Sequence, residues 1–181
     1  RNTAPRILQP VNNTSFEAEL RFESAFTGQV QMHGFIAEQD SNNFIRFDFS
    51  SSAALTKIFS GTNKNGVYTT RYNQNIGTGL PPYLKVKRTG DLWTLSYSYD
   101  DSVWTQAASF AYSMIVNRVG PFAGNSGATP PGYLALVDYV FNTALPLVPE
   151  DGGASGLAAR ILNEPTGRTA AEGDSTTFAV L

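Results

Sequence analysis

Strict alternation of apolar and polar residues is the feature of this sequence that most restricts its fold. Residues 15–23 alternate four apolar side chains with four charged ones: Phe16, Ala18, Leu20 and Phe22 against Glu17, Glu19, Arg21 and Glu23. Side chains of a β-strand point alternately to its two faces, so this pattern predicts a strand with one face in a core and the other in water.

Nine further segments show strand patterns, and short turns rich in Asn, Asp and Gly separate most of them. They are residues 30–39, 44–49, 55–60, 66–73, 83–89, 93–99, 103–107, 117–123 and 134–141. Segment 109–116 is compatible with either a short helix or a strand. About ten short strands without alternating helices predict an all-β protein, built as an antiparallel sandwich or barrel.

The composition excludes several classes of function. The chain carries 13 Lys and Arg against 15 Asp and Glu, so it lacks the basic patch that nucleic-acid binding requires. With no Cys and one His, it has no structural zinc site, thiol nucleophile or disulfide. Its apolar runs are too short to cross a bilayer, so we expect no membrane insertion. Abundant Thr, Ser and Asn favour an extracellular location.

The composition changes after Phe141, where a Pro- and Gly-rich stretch follows the last strand pattern. We therefore predict a sandwich over residues 1–145, a linker over 146–159 and the truncated start of a following β-domain over 160–181. The predicted sandwich holds ten acidic and eleven basic residues. This balance suits an uncharged partner such as a glycan better than a polyanion.

Two stretches resemble a known family. Residues 83–105 read YLKVKRTGDLWTLSYSYDDSVWT, and residues 34–47 read GFIAEQDSNNFIRF. Both are similar to the concanavalin A-like, laminin-G-like domains found at the C-terminus of β-xylosidases and in bacterial surface proteins. Residues 119–125 and 137–139 match the last strands of that family. The turn at Asp100 and Asp101 departs from the family's Asp-Gly turn.

The resemblance covers residues 10–142 and implies a jelly-roll sandwich in a secreted, modular bacterial protein. Residues 167–180 look like the opening of a Calx-β-like or immunoglobulin-like repeat, so other domains of the same polypeptide are expected partners. The resemblance implies no particular ligand, because this sandwich carries many functions.

Charged residues on the predicted strands suggest two kinds of site. A glycosidase would need two carboxylates, for which Glu17 or Glu19 with Asp48 are candidates, although a solvated strand face explains the same pattern. A cluster of Glu19, His33, Arg46 and Asp48 could instead bind a polar ligand through charge-assisted hydrogen bonds. An ordinary cross-strand charge ladder is the simpler explanation of that cluster.

Sugar recognition needs an aromatic face beside side chains that hydrogen-bond hydroxyl groups. Tyr72 and Tyr133 adjoin long polar loops and are the favoured candidates, with Trp104 as a further one whose pattern favours the core over a binding role. By contrast, Trp93, Tyr97 and Tyr99 alternate towards the predicted core.

Calcium would suit loops of this fold, because carboxylate and amide oxygens from adjacent turns could hold it. The candidate ligands are Asp40, Asp100 and Asp138, but the chain has no EF-hand loop.

These observations together predict a non-catalytic carbohydrate-binding module of a larger secreted protein, associated with a glycoside hydrolase and binding a polysaccharide or glycan. An adhesion or structural spacer domain is the main alternative, and a glycoside hydrolase fragment is a third.

Overall fold

The computed structural model describes residues 4–52, 54–126 and 132–144. They form eleven strands: β1 (Gln9–Pro10), β2 (Phe16–Phe22), β3 (Gln31–Asp40), β4 (Asn43–Ser52), β5 (Leu55–Lys64), β6 (Val67–Gly77), β7 (Tyr83–Thr89), β8 (Leu92–Ser98), β9 (Trp104–Ala111), β10 (Arg118–Asn125) and β11 (Val137–Asn142). No helix long and apolar enough to cross a membrane occurs in this described part.

The strands form two antiparallel sheets. A six-stranded sheet has the order β1-β10-β3-β4-β5-β6, and a five-stranded sheet has the order β11-β2-β7-β8-β9. The predicted all-β sandwich is therefore confirmed. The predicted linker over 146–159, the following domain over 160–181 and its Calx-β-like opening all lie outside the described residues.

The core lies between the sheets and follows the period-two pattern of the sequence. Alternate residues of β2 are buried, and the same rule on β4 places Phe47 and Phe49 inside. Trp93 is fully buried on β8, and its indole N–H donates to the carbonyl of Tyr112 at 2.9 Å, so the ring's polar atom is satisfied.

Two details differ from the sequence predictions. Segment 109–116 is neither a helix nor a full strand, since β9 ends at Ala111 and the chain continues without regular structure. Tyr99 does not enter the core: it lies just beyond the end of β8 and is 51% exposed.

A second, smaller apolar cluster lies on the outer face of the six-stranded sheet. Ile36, Phe44 and Phe122 are buried there, with Leu8 and Ala4 packed against them. These last two belong to the N-terminal segment, residues 4–8, which runs beside β10. We call the part of the outer face beneath this segment the covered half.

The opposite edge of the same sheet is open. Strand β6 is its last strand, and nine of its eleven residues are exposed. We call the outer face of β4, β5 and β6 away from the N-terminal segment the open half.

Candidate functional site

The four charged residues proposed to cluster lie in three different places. Glu19 is on β2 in the five-stranded sheet, and Arg46 and Asp48 are on β4 in the six-stranded sheet. His33 faces the core, because it pairs with Phe49 across β3 and β4 while Asp48 pairs with Gly34. The predicted cluster of four residues is therefore wrong. It needed a strand register in which His33 faces the same side of the sheet as Arg46 and Asp48, whereas His33 faces the core.

His33 acts as a core residue. Its ring stacks on Phe22 at a centroid distance of 4.0 Å and packs against Phe26. The His33 Nδ1 atom is hydrogen-bonded to the hydroxyl of Tyr133 at 2.5 Å, whereas Nε2 has no partner among the described residues. Burial lowers the pKa of His33 to about 3, so the ring is neutral at physiological pH.

Tyr133 and Tyr72 are not the exposed sugar platforms that the sequence predicted. Tyr133 is half-buried and fixes its loop to the core through His33, with Ser24 Oγ 3.4 Å from its hydroxyl. Tyr72 pairs with Ser60 on the inward side of β6 and packs against the main core.

Arg46 and Asp48 do come together, on the outer face of the six-stranded sheet. Arg46 Nε lies 3.2 Å from Oδ2 of Asp48, whose side chain is fully buried, whereas the Arg46 side chain is 25% exposed. Neither Asp48 oxygen has a hydrogen-bond partner among the described residues, nor does Arg46 Nε. This burial raises the pKa of Asp48 to about 7, while the charge of Arg46 opposes the rise.

Aromatic rings surround the guanidinium of Arg46. Its central carbon lies 4.8 Å from the ring centroid of Phe59 and 5.7 Å from that of Tyr68, and these two rings are parallel. Gly61 makes this arrangement possible, because a side chain there would come within 2.6 Å of the Tyr68 ring. The ion pair with Asp48 and the two rings together fix the direction in which Arg46 points.

The strand register places uncharged polar residues beside Arg46 and the rings of Phe59 and Tyr68. On the outer face, the cross-strand neighbours of Arg46 on β5 and β6 are Gly61 and Thr70. Those of Asp48 are Phe59 and Asn73. Thr70, Asn73 and the next outward residue of β6, Asn75, are exposed. Cross-strand neighbours lie about 5 Å apart, so hydroxyl and amide groups line the approach to the aromatic rings.

The covered half holds a different buried acid. Glu38 on β3 is fully buried, and its carboxylate is bridged by Arg6 at 2.8 Å and Arg118 at 3.3 Å. Arg6 reaches Glu38 from the N-terminal segment across β10. Within the described part of the chain, this carboxylate is balanced by two cations, whereas Asp48 has one cation beside it.

The outer face of the five-stranded sheet carries Glu19 and Trp104. Glu19 accepts a hydrogen bond from the hydroxyl of Tyr139 at 2.7 Å and pairs with Lys85 at 2.9 Å. The ammonium of Lys85 also lies 3.7 Å from the ring centroid of Trp104, so a cation already occupies one face of that ring. Trp104 is therefore partly buried in a charge network and does not line the Arg46 site.

The carboxylates considered for glycoside hydrolysis are not adjacent. Glu17 and Glu19 lie on the outer face of the five-stranded sheet, where Lys87 and Lys85 pair with them. Asp48 lies on the outer face of the other sheet, with the core between them. This pairing of Glu17 or Glu19 with Asp48 is wrong, because a two-carboxylate mechanism needs the two groups to flank one scissile bond at roughly 5–10 Å, and here the core separates them.

The proposed calcium ligands also lie apart. Asp40 accepts bonds from Asn42 and Asn43 in the turn after β3, and Asp100 accepts bonds from the backbone of Ser102 and Val103. Asp138 pairs with Arg21 at 2.6 Å. No group of three or more His, Cys, Asp or Glu side chains in the described part could hold a metal ion.

Sequence reasoning missed Phe59 and Tyr68. The alternation of β5 holds the signal for Phe59, since Ile58 faces the core and its neighbours Lys57 and Phe59 must then face outward. Which of these side chains meets Arg46 depends on the pairing of β4 with β5 and of β5 with β6, and the sequence does not specify that pairing.

Comparison with solved structures identifies the fold. The GH43 BlXynB protein from Bacillus licheniformis matches with a TM-score of 0.64 and 15% identity, over 78% of this chain and 30% of that chain. Xylan β-1,4-xylosidase from Bacillus halodurans C-125 matches at 0.61 and 15%, over the same shares. Sheep galectin-11, in a complex with glycerol, matches at 0.52 and 12%, over 78% of this chain and 99% of that chain.

These similarities establish a lectin-like β-sandwich. The match spans less than a third of the two bacterial chains, and the identities are low enough that only the fold follows from them. No protein-family model matches the sequence, and no curated protein does.

Proposed function

We propose that this sandwich is a non-catalytic carbohydrate-binding domain, and that it binds glycan on the open half of the six-stranded sheet. The observation that carries the proposal is the Arg46 side chain, which is partly exposed beside two aromatic rings and fixed by a buried carboxylate. A sugar presents hydroxyl groups at its edge and C–H groups on its face. It therefore needs this combination of hydrogen-bond donors and rings.

Strand β6 completes the recognition surface in this proposal. Thr70, Asn73 and Asn75 offer both donors and acceptors, which match the mixed character of sugar hydroxyl groups. Tyr68 is 44% exposed and supplies the ring face on which a pyranose could stack. The neighbouring structures named for xylosidase and galectin are sandwich folds of the same kind, which is consistent with a glycan as ligand.

The proposal includes an extracellular location and a place in a larger polypeptide that also carries a glycoside hydrolase. Binding by such a domain raises the local concentration of the tethered parent at its polymer, so weak affinity suffices. A spacer domain would not require exposed aromatic and guanidinium groups on one face, which favours the binding role.

The test is a binding measurement with matched variants. Affinity electrophoresis against a panel of polysaccharides, with xylan as the first probe, should detect retardation of the native protein. Tyr68→Ala and Arg46→Ala should each weaken binding about tenfold or more, which corresponds to about 1.4 kcal/mol.

The controls lie outside the open half, one just beyond the end of β8 and one on β2. Tyr99→Ala removes a tyrosine of similar exposure, and Arg21→Ala removes an arginine that is also held by an aspartate. Both variants should bind as the native protein does. If no polysaccharide retards the protein, or if Tyr99→Ala weakens binding as much as Tyr68→Ala, the proposal is wrong.

A further inference from the structure

The open half carries an excess of positive charge that the overall balance of the chain conceals. The outward positions of β4, β5 and β6 carry two cations, Arg46 and Lys57, and one acid, Asp48. Arg71 of β6 turns inward instead, where it donates to Thr62 Oγ1 and lies over the ring of Tyr112. Among the described residues, Lys57 forms no ion pair, and the acid that Arg46 pairs with is the buried Asp48. The near-neutral sandwich therefore has one face on which positive charge lies unbalanced at the surface.

Arg46 and Lys57 lie on the two sides of the row formed by Asp48, Phe59 and Asn73. Lys57 pairs with Ser50, four residues beyond Arg46 on β4, and faces outward like Phe59. Four residues of strand span about 13 Å, and both side chains are long enough to reach a group bound above the row. The acid beneath this row, Asp48, is fully buried and already beside Arg46.

The remaining acids of this outer face do not compensate these cations. Glu38 is buried between Arg6 and Arg118 in the covered half, and Asp40 is bonded within the turn that joins β3 to β4. Among the described residues, an anionic ligand on the open half would therefore meet two cations and no exposed carboxylate.

We propose that the glycan bound on the open half is an anionic one, with a carboxylate or sulfate group held between Arg46 and Lys57. This inference rests on the proposed function and specifies its substrate class. It also revises the expectation from overall charge, because the ligand contacts one face and not the average of the chain.

The test compares one polysaccharide in two charge states. Glucuronoxylan and the same material with its uronic acids chemically reduced to neutral sugars are titrated against the native protein at low salt, with a sulfated xylan as a third probe. The acidic polymer should bind about tenfold more tightly than its reduced form, and 0.5 M salt should remove most of the difference. The sulfated probe then shows whether a carboxylate is required or any anion suffices.

Lys57→Gln should abolish the preference for the acidic polymer, whereas Lys87→Gln on the opposite face is its matched control and should keep that preference. Equal binding of the acidic and reduced polymers would overturn the anionic preference and leave the proposed function intact. Absence of binding by all three probes and by the wider panel would overturn both. An equal loss in Lys57→Gln and Lys87→Gln would show general polyanion attraction in place of a site.

Discussion

The two outer faces of the sandwich handle charge in opposite ways. On the five-stranded sheet, acids and cations alternate between neighbouring strands and pair at the surface: Glu17 with Lys87, Glu19 with Lys85, and Asp138 with Arg21. On the six-stranded sheet the acids Glu38 and Asp48 are buried beneath other side chains, and the cation Lys57 remains half-buried without an acidic partner among the described residues.

This difference separates a surface that serves solubility from one built to hold a group in place. Exposed ion pairs contribute little to stability, and they neutralise one another towards any ligand. A buried carboxylate with unsatisfied oxygens costs free energy, so its presence under Arg46 calls for a reason other than stability. Positioning Arg46 for a ligand is that reason in our proposal.

The largest effect should come from adding a methyl group beneath Asp48. The new Cβ of Gly34→Ala would overlap the carbonyl oxygen of Phe47 and come within 2.6 Å of the Asp48 Cα, so β3 and β4 must separate. We expect a loss of at least about 3 kcal/mol in the free energy of unfolding, measured by urea denaturation. Gly132→Ala, which meets no atom within 4 Å, is the control and should be nearly neutral.

The next effect is a change in how stability depends on pH. The pKa of Asp48 is about 7 in the folded protein and near 3.8 when unfolded, so the folded state binds more protons between pH 4 and 7 and its stability falls as pH rises. The pKa of His33 is about 3 when folded and near 6.5 when unfolded, so its contribution to stability rises with pH over an overlapping range. The two contributions oppose each other in the native protein.

Single variants should separate the contributions of Asp48 and His33 to the pH dependence of stability. Relative to the native protein, Asp48→Asn should make stability rise more steeply between pH 4 and 6.5, and His33→Phe should make it fall more steeply towards pH 7. Each difference should amount to a few kcal/mol, since one unit of pKa shift corresponds to about 1.4 kcal/mol. Denaturation at intervals from pH 4 to 8 measures it, and curves parallel to the native one would contradict the burial argument.

A smaller effect is expected at Trp104. Trp104→Ala removes the ring beneath the ammonium of Lys85 and the indole bond to the carbonyl of Asp101, which should cost about 1–2 kcal/mol of unfolding free energy. Binding to the polysaccharide panel should not change. Weakened binding without a loss of stability would move the site to the five-stranded face.

The smallest effect concerns the exposed pair of Arg21 and Asp138. Asp138→Asn should cost less than about 1 kcal/mol at low salt, and the cost should shrink further in 1 M salt because the pair is screened. A larger, salt-independent loss measured by thermal denaturation would show that the five-stranded face is not the simple charge ladder described here.

The fold could be predicted because the alternation of side chains is a local property. Every residue of β2 has the burial that its polarity indicated, and the buried Trp93 on β8 follows the same rule. Tyr99 does not follow this rule, because it lies beyond the end of β8, where the chain turns and alternation no longer fixes the direction of a side chain.

The site could be predicted only in part, because it depends on register between distant strands. Arg46 and Asp48 were identified from their spacing of two on one strand, which places them on the same face. His33 was assigned to them although its actual neighbour across the hairpin is Phe49. The approach of Tyr68 to Arg46 requires two successive strand pairings and a glycine at position 61, which no local pattern in the sequence indicates.

The exposure of strand β6 has a consequence for how such a domain can change over time. Most of its side chains contribute little to the core, so substitutions at Thr70, Asn73 and Asn75 should alter stability by no more than about 0.5 kcal/mol. Mutation can therefore vary the recognition surface while the folding of the sandwich is preserved. The same positions are the natural choice for a combinatorial library that retargets the domain to another glycan.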